Sequence, residues 1–204
     1  ALGVGGRDLD DQIEGAMILE GLRVLENDPL TEVSVLISKP PGPKTRDRVL
    51  SALRRTNKPC VVCFLGMDQN VIDVPDVFIE PTLEGVAWRV IDILDGKQSD
   101  SWPAIPPSLR DRLVEINDRL TPGQRCIRGL YSGGTLCYET LLVLRELSEE
   151  PVYSNLEVDG IEPLTFTEEV RGHVLTDLGD DRFTAGRPHP IIDLRQRCNQ
   201  VVCE

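Results

Sequence analysis

Gly129-Leu130-Tyr131-Ser132-Gly133-Gly134-Thr135-Leu136-Cys137-Tyr138-Glu139 places a strand-like run, a small-residue loop and a helix-like run in direct succession. That order can bind an anion. Gly133 and Gly134 let backbone N–H groups turn toward a bound group, Ser132 and Thr135 add hydroxyl donors, and a helix dipole favours negative charge at its N-terminus. The Lys of a P-loop is absent. A plain N-cap and tight turn is the structural alternative. Gly186-Arg187-Pro188-His189-Pro190 is the second cluster. Arg187 offers a bidentate fork to phosphate or carboxylate. His189, between two prolines, has little backbone freedom, which suits a positioned acid, base or nucleophile and makes it the candidate catalytic residue. A rigid surface turn is the alternative.

Other groups carry less. Gly3-Val4-Gly5-Gly6 is not GxGxxG, and from its residues a tight turn after a strand is the better explanation. Gly5, Gly6 and Arg7 are retained as candidate anion contacts, although Arg7 could instead pair with Asp8 or Asp10. His173 falls in a strand pattern and reads as structural. Asp180-Asp181 could hold Mg²⁺, but an acidic turn accounts for it, and no metal site is assigned. The six cysteines do not form a disulfide framework. Cys60, Cys63, Cys126 and Cys137 sit in or beside apolar segments and read as buried thiols. Cys60 and Cys63 are formally CxxC, but on a strand residues three apart face opposite sides and cannot share a metal. Cys198 and Cys203 lie late in the chain and are expected to be exposed. This usage suits a reducing cytoplasm.

These groups need elements to hold them. Asp10 to Asn27 reads as a helix, with Ile13, Met17, Leu22 and Leu25 at helical spacing and Asp28-Pro29 ending it. Val33 to Ile37 is a β-branched strand. Thr45 to Thr56 is a helix with Val49, Leu50 and Leu53 inward. Cys60 to Leu65 and Val77 to Ile79 are strands, and Thr82 to Leu94 is a helix on Leu83, Val86, Val90 and Leu94. Apolar strands alternating with amphipathic helices predict an α/β fold, with parallel sheets covered by helices on both faces. Residues 1–95 form a first unit. Residues 96–124 hold a Pro-rich linker and a helix, Ser108 to Leu120, with Leu109, Leu113, Ile116 and Leu120 on one face. Residues 125–204 form a second unit: a strand from Cys126 to Tyr131, a helix to about Leu147, a loop from Glu149 to Glu169, and a strand from His173 to Leu178. Leu2 to Asp8 weakly echoes Asp177 to Arg182.

Formal net charge is -12 and the pI about 4.7. Nucleic acid and anionic membrane are therefore excluded as partners by default. A small anion must be drawn by local N–H groups and Arg against an unfavourable global field. No apolar run approaches the length of a bilayer span.

Ser132 to Glu139 resembles the Ser-Gly-Thr-Leu-x-Tyr-Glu segment of acyl-CoA synthetase α subunits, and Gly3 to Asp8 resembles the Gly-Ile-Gly-Gly-Asp turn of the same domain. Together with Leu36-Ile37-Ser38-Lys39-Pro40-Pro41, Asp177-Leu178-Gly179-Asp180-Asp181 and Gly186 to Pro190, these segments resemble FdrA proteins, relatives of the succinyl-CoA synthetase α subunit, in order over nearly the whole chain. The resemblance implies flavodoxin-like ligase-type domains, the later part of one in 1–95 and the early part of the next in 125–204. It also implies that FdrA proteins extend beyond both ends of this stretch; the abrupt Gly cluster at the start fits that expectation. Acyl-CoA synthetases carry a phosphorylated His in a Gly-His-Ala-Gly-Ala loop after the strand corresponding to Cys60–Leu65. Here the loop is Gly66-Met67-Asp68-Gln69-Asn70, so the phosphohistidine relay is not carried over. Family members have been linked to an oxamate carbamoyltransferase of allantoin breakdown, which handles carbamoyl phosphate. The resemblance thus implies a phosphate, acyl-phosphate or CoA-thioester ligand, and a component of an acyl or carbamoyl transfer enzyme in the cytoplasm, in a homo-oligomer or with other subunits. A non-catalytic scaffold on the same fold, binding partner subunits, is the alternative.

Overall fold

The computed structural model describes residues 1–67, 74–97, 105–165, 170–193, 195, 198 and 199. Asp68 to Asn70, the later part of the loop that stands where the relay loop would be, and Cys203 lie outside the described residues. The chain divides into two compact units, Ala1–Pro103 and Ala104–Glu204. The boundary falls inside the 96–124 stretch.

The first unit contains a 3-10 turn at Gly6–Leu9, then α1 (Ala16–Asn27), β1 (Ser34–Ser38), α2 (Pro43–Leu53), β2 (Cys60–Phe64), β3 (Val77–Ile79) and α3 (Leu83–Asp95). Its sheet has the order β1-β2-β3, and both pairings are parallel. All five residues of β2 are buried, as a central strand covered on both faces requires. Each Val buried there contributes roughly 1.5–3 kcal/mol by removal from water. On one face Leu36, Cys60, Val62 and Phe64 pack with Ile18, Leu22, Val49, Leu50 and Leu53 of α1 and α2. On the other face lies α3, whose Arg89 guanidinium sits 5.6 Å from the centre of the Phe78 ring. Thr82 caps α3 by accepting the Gly85 N–H, and Pro43 occupies the start of α2.

The second unit contains α4 (Pro107–Arg119), β4 (Arg128–Tyr131), α5 (Gly134–Leu147), β5 (Val152–Ser154), β6 (Glu162–Pro163), β7 (His173–Asp177) and the short α6 (Asp181–Thr184). Its four strands are parallel in the order β4-β7-β5-β6. β7, the last strand in sequence among the described residues, thus lies in the interior of the sheet and is buried throughout. α5 crosses over it, burying Cys137 and Leu141 against Leu175 and Val152.

Four expectations need correction. The first helix begins at Ala16, because Glu14 and Gly15 adopt left-handed conformations that a helix cannot continue through. Its buried residues include Ile18 and Leu22, whereas Ile13 and Met17 are exposed. The segment 149–169 contains two strands. Cys126 is exposed, since β4 starts only at Arg128. Leu94, at the end of the apolar stripe of α3, is exposed. Among the described residues no helix is long and apolar enough to cross a membrane.

Candidate functional site

The carboxyl ends of β4 and β7 lie side by side. Tyr131 is in register with Asp177, and the Leu178 N–H donates to the Tyr131 carbonyl at 2.7 Å. Ligands of parallel α/β sheets bind beyond this edge. The Ser132 loop leaves it directly. Gly133 is the N-cap of α5 in extended conformation, and no described side chain caps the helix. Gly133 and Thr135 are exposed, and Ser132 and Gly134 half-buried. The helix end therefore presents N–H groups to solvent, with a hydroxyl on each side.

Asp177 and His189 join this edge. Asp177 is 7% exposed, and its Oδ1 accepts the Gly179 N–H at 2.9 Å. A methyl group at Gly179 would stand 3.1 Å from Asp177 Oδ1 and 3.2 Å from His189 Nε2. The carboxylate and the imidazole tip thus converge over one Cα, and a side chain there would separate or displace them. His189 Nδ1 accepts the Ile191 N–H at 3.2 Å. A neutral ring in that arrangement carries its proton on Nε2 and is a donor at its tip. Arg187, two residues earlier, is exposed. Its backbone N–H donates to the Thr184 carbonyl, and its side chain has no ion-pair partner among the described residues. The loop and His189 are therefore brought to the same strand ends, with Arg187 on the loop that delivers His189.

His173 is structural. Its Nδ1 accepts the Ile127 N–H at 2.9 Å and its Nε2 donates to Ser148 Oγ at 2.8 Å, tying the entry of β4 to the end of α5. Asp180 caps α6 by accepting the Arg182 N–H. Among the described residues no group of three or more His, Cys, Asp or Glu could hold a metal.

The first unit differs in kind. Gly5, Gly6 and Arg7 are exposed in the 3-10 turn, and the buried Asp8 fills the N-terminus of α1. Its Oδ1 accepts the Met17 N–H at 2.9 Å and its Oδ2 the Ile18 N–H at 2.8 Å. Asp11 does the same at α2, accepting the Thr45 N–H at 2.9 Å. Gly42 allows it to approach, since a Cβ at Gly42 would stand 2.3 Å from Asp11 Oδ1. Both helix ends that could receive an external anion are thus occupied by the chain's own carboxylates.

Sequence reasoning missed three participants. Asp177 and Gly179 lay inside a quoted motif without an assigned role, because only the fold brings His189 over them. Asn155 lay in a segment read as loop. Its side chain donates to the Asp177 carbonyl at 2.9 Å and accepts the Asp177 N–H at 2.8 Å. Beyond it a cavity of about 630 Å³ opens at the ends of β5 and β6, with Glu157, Asp159, Asp180 and Arg182 in its wall.

No protein-family model matches the chain. The chain is similar to a protein of Escherichia coli (strain K12) designated uncharacterized protein YahF, with 38% identity over 203 residues that take in 100% of this chain. The chain spans 39% of the length of that relative.

Proposed function

We propose that the second unit binds the phosphate of an acyl or carbamoyl phosphate at the N-terminus of α5, and that the chain is part of an FdrA-like, acyl-CoA-synthetase-related protein serving acyl or carbamoyl transfer. The observation that carries this reading is the contrast between the two units: the N-termini of α1 and α2 are filled by Asp8 and Asp11, while α5 has no side-chain cap and opens beside Asp177 and His189. A CoA thioester is the other acyl donor the same reading admits.

In such a transfer the acceptor's electron pair attacks the carbonyl carbon and the C–O bond to phosphate breaks. The bonding pair leaves on the phosphate oxygen, and the proton lost by the acceptor is taken by the departing phosphate. The α5 N–H groups, Ser132, Thr135 and Arg187 hold the phosphate, and the Nε2–H of His189 donates to the oxygen on which charge develops. Arg187 offsets the repulsion from a chain of net charge -12.

Calorimetry with carbamoyl phosphate, acetyl phosphate and inorganic phosphate tests the reading. Arg187→Ala should weaken binding at least about tenfold, the equivalent of about 1.4 kcal/mol, with little loss of fold. His189→Asn should lower turnover more than affinity. Unchanged affinity in Arg187→Ala would favour the scaffold reading, for which the uncovered apolar face of α4 speaks.

A further inference from the structure

The cavity at the ends of β5 and β6 has a volume of about 630 Å³, within the range of small-molecule sites. It opens on the carboxyl edge of a parallel sheet, where α/β folds bind their ligands. Its walls differ in chemistry. Leu156, Val158 and Ile161 line it and also pack into the core of the second unit, so one wall is apolar and firmly held. Ser154, which lines it too, is 1% exposed. Its Oγ accepts the Leu156 N–H at 3.1 Å, and its own proton has no acceptor among the described residues. The wall therefore holds a buried donor that a ligand oxygen could satisfy. Glu157 and Asp159 are exposed. The Glu157 side chain has no hydrogen-bond or ion-pair partner among the described residues, whereas Asp180 in the same wall already caps α6.

The place of this cavity in the chain is informative. β4 ends at Tyr131, Gly133 and Gly134 open α5, α5 leads to β5, and Glu157 follows β5, roughly 20 residues after the glycines. In this order α/β folds hold a nucleotide, with phosphate on the helix N-terminus and ribose hydroxyls on a carboxylate beyond the next strand. Two departures bear on the ligand. The glycines are not those of the GxGxxG motif. β7 also lies between β4 and β5, so the carboxylate stands two strand spacings from the helix end, roughly 10 Å in place of about 5 Å. The path between them crosses the end of β7 at Gly179, which has no side chain to block it. Asp177 Oδ1 there is turned to the Gly179 N–H, and His189 Nε2 lies on the same spot.

We propose that the second unit binds a ribonucleoside diphosphate, with the terminal phosphate at the N-terminus of α5 and the nucleoside in the cavity. The inference rests on the phosphate site proposed above and adds the other end of a ligand for it. Glu157 accepts the 2′- and 3′-hydroxyls, Ser154 donates to a ribose oxygen, and the base lies on the wall of Leu156, Val158 and Ile161. The second phosphate covers the added strand spacing and passes the Nε2–H of His189. A carboxylate accepts hydroxyl donors and repels anions, so the site selects a free diol. CoA, whose ribose carries a 3′-phosphate, is disfavoured. The nucleotide and an acyl phosphate share the α5 position and exclude one another.

Calorimetry on the full chain with pyrophosphate, CoA and the diphosphates of adenosine, guanosine, cytidine and uridine tests the proposal. At least one nucleotide should bind about tenfold or more tighter than both pyrophosphate and CoA, and acetyl phosphate should displace it competitively. Glu157→Ala, with circular dichroism unchanged, should weaken that nucleotide at least about tenfold and leave pyrophosphate binding as it was. The 2′,3′-dideoxy form of the same nucleotide should bind wild type weakly and be indifferent to Glu157→Ala, which a merely structural role of Glu157 would not produce. Nucleotides no tighter than pyrophosphate, CoA as tight as the best of them, or an unchanged affinity in Glu157→Ala would overturn the nucleotide assignment and leave the phosphate site standing. If neither pyrophosphate nor acetyl phosphate bound, the phosphate site itself would fall, and the nucleotide with it.

Discussion

Removing the carboxylate of Asp8 should cost the first unit about 1.5–5 kcal/mol. Asp8 is 5% exposed, and each of its oxygens accepts one N–H of α1. The two amides respond differently to its loss. Met17 is exposed and its N–H can turn to water, so its share is that of an ordinary cap, about 0.5–2 kcal/mol. Ile18 is buried, and its N–H, left without an acceptor, costs roughly 1–3 kcal/mol. Asp8→Asn should cost about 1–3 kcal/mol, because one of its two positions then directs an amide donor at a backbone donor. With a mid-range denaturant slope of about 2 kcal/mol per M, Asp8→Ala should lower the urea midpoint of the first unit by about 1–2.5 M. Amide exchange at Met17 and Ile18 should accelerate first. Sodium formate, a carboxylate small enough for the vacated space, should return stability to Asp8→Ala, by about 1.4 kcal/mol at ten times its dissociation constant. Chloride should not. A stability unchanged within about 0.5 kcal/mol in either variant would refute the claim that this carboxylate occupies the helix end.

Three further outcomes follow from the site and the core. Gly179→Ala places a methyl group against Asp177 Oδ1 and His189 Nε2 and, under the proposed function, should abolish the turnover of carbamoyl phosphate while leaving the far-ultraviolet dichroism unchanged; turnover as in the wild type would separate His189 from the proposed chemistry. Thr176 Oγ1 is buried with no hydrogen-bond partner among the described residues, so Thr176→Val should raise stability in urea by about 1 kcal/mol, and a loss would mean that the hydroxyl has a partner. Burial pushes the Cys60 thiol up to about 12, so a maleimide at pH 8 should label Cys126 and Cys198 and leave Cys60 unmodified until denaturant is added; labelling of Cys60 in the native state would contradict its burial.

The sequence was most legible where one physical cause dominated. Cys60–Phe64 is apolar throughout because β2 is central and covered on both faces, and Val49, Leu50 and Leu53 showed the buried stripe of α2 directly. Legibility failed where short elements borrow their stability from neighbours. β6 is two residues, Glu162 and Pro163, both exposed at the sheet edge, where a proline is tolerated and composition says little. β5 is three residues, held in place by β7 from twenty residues further on. The amphipathic pattern of α4 was visible, but periodicity shows that a helix has an apolar side and not what covers it. At the site, the Ser132 loop followed from local order alone. The meeting of His189 with Asp177 did not, because it depends on β7 returning to the centre of the sheet. Asp8 enters the sequence reading only as a partner for Arg7, and Asp11 falls inside the helix read from Asp10, since nothing local indicates that each fills the start of a later helix.

Asn155 stands in for one more rung of the sheet, its amide pairing with both backbone groups of Asp177 just past the last residue of β5. A rung made by a side chain lets the main chain turn away early and open the cavity beside it, but it ties the joint to the covalent lifetime of an amide. Deamidation of Asn155 would put a carboxylate oxygen where the NH₂ group now donates, facing the Asp177 carbonyl, and two acceptors repel. A change of about one mass unit would then part the ends of β5 and β7 with no substitution in the gene, so the chemical age of a preparation bears directly on how well this edge of the sheet is held.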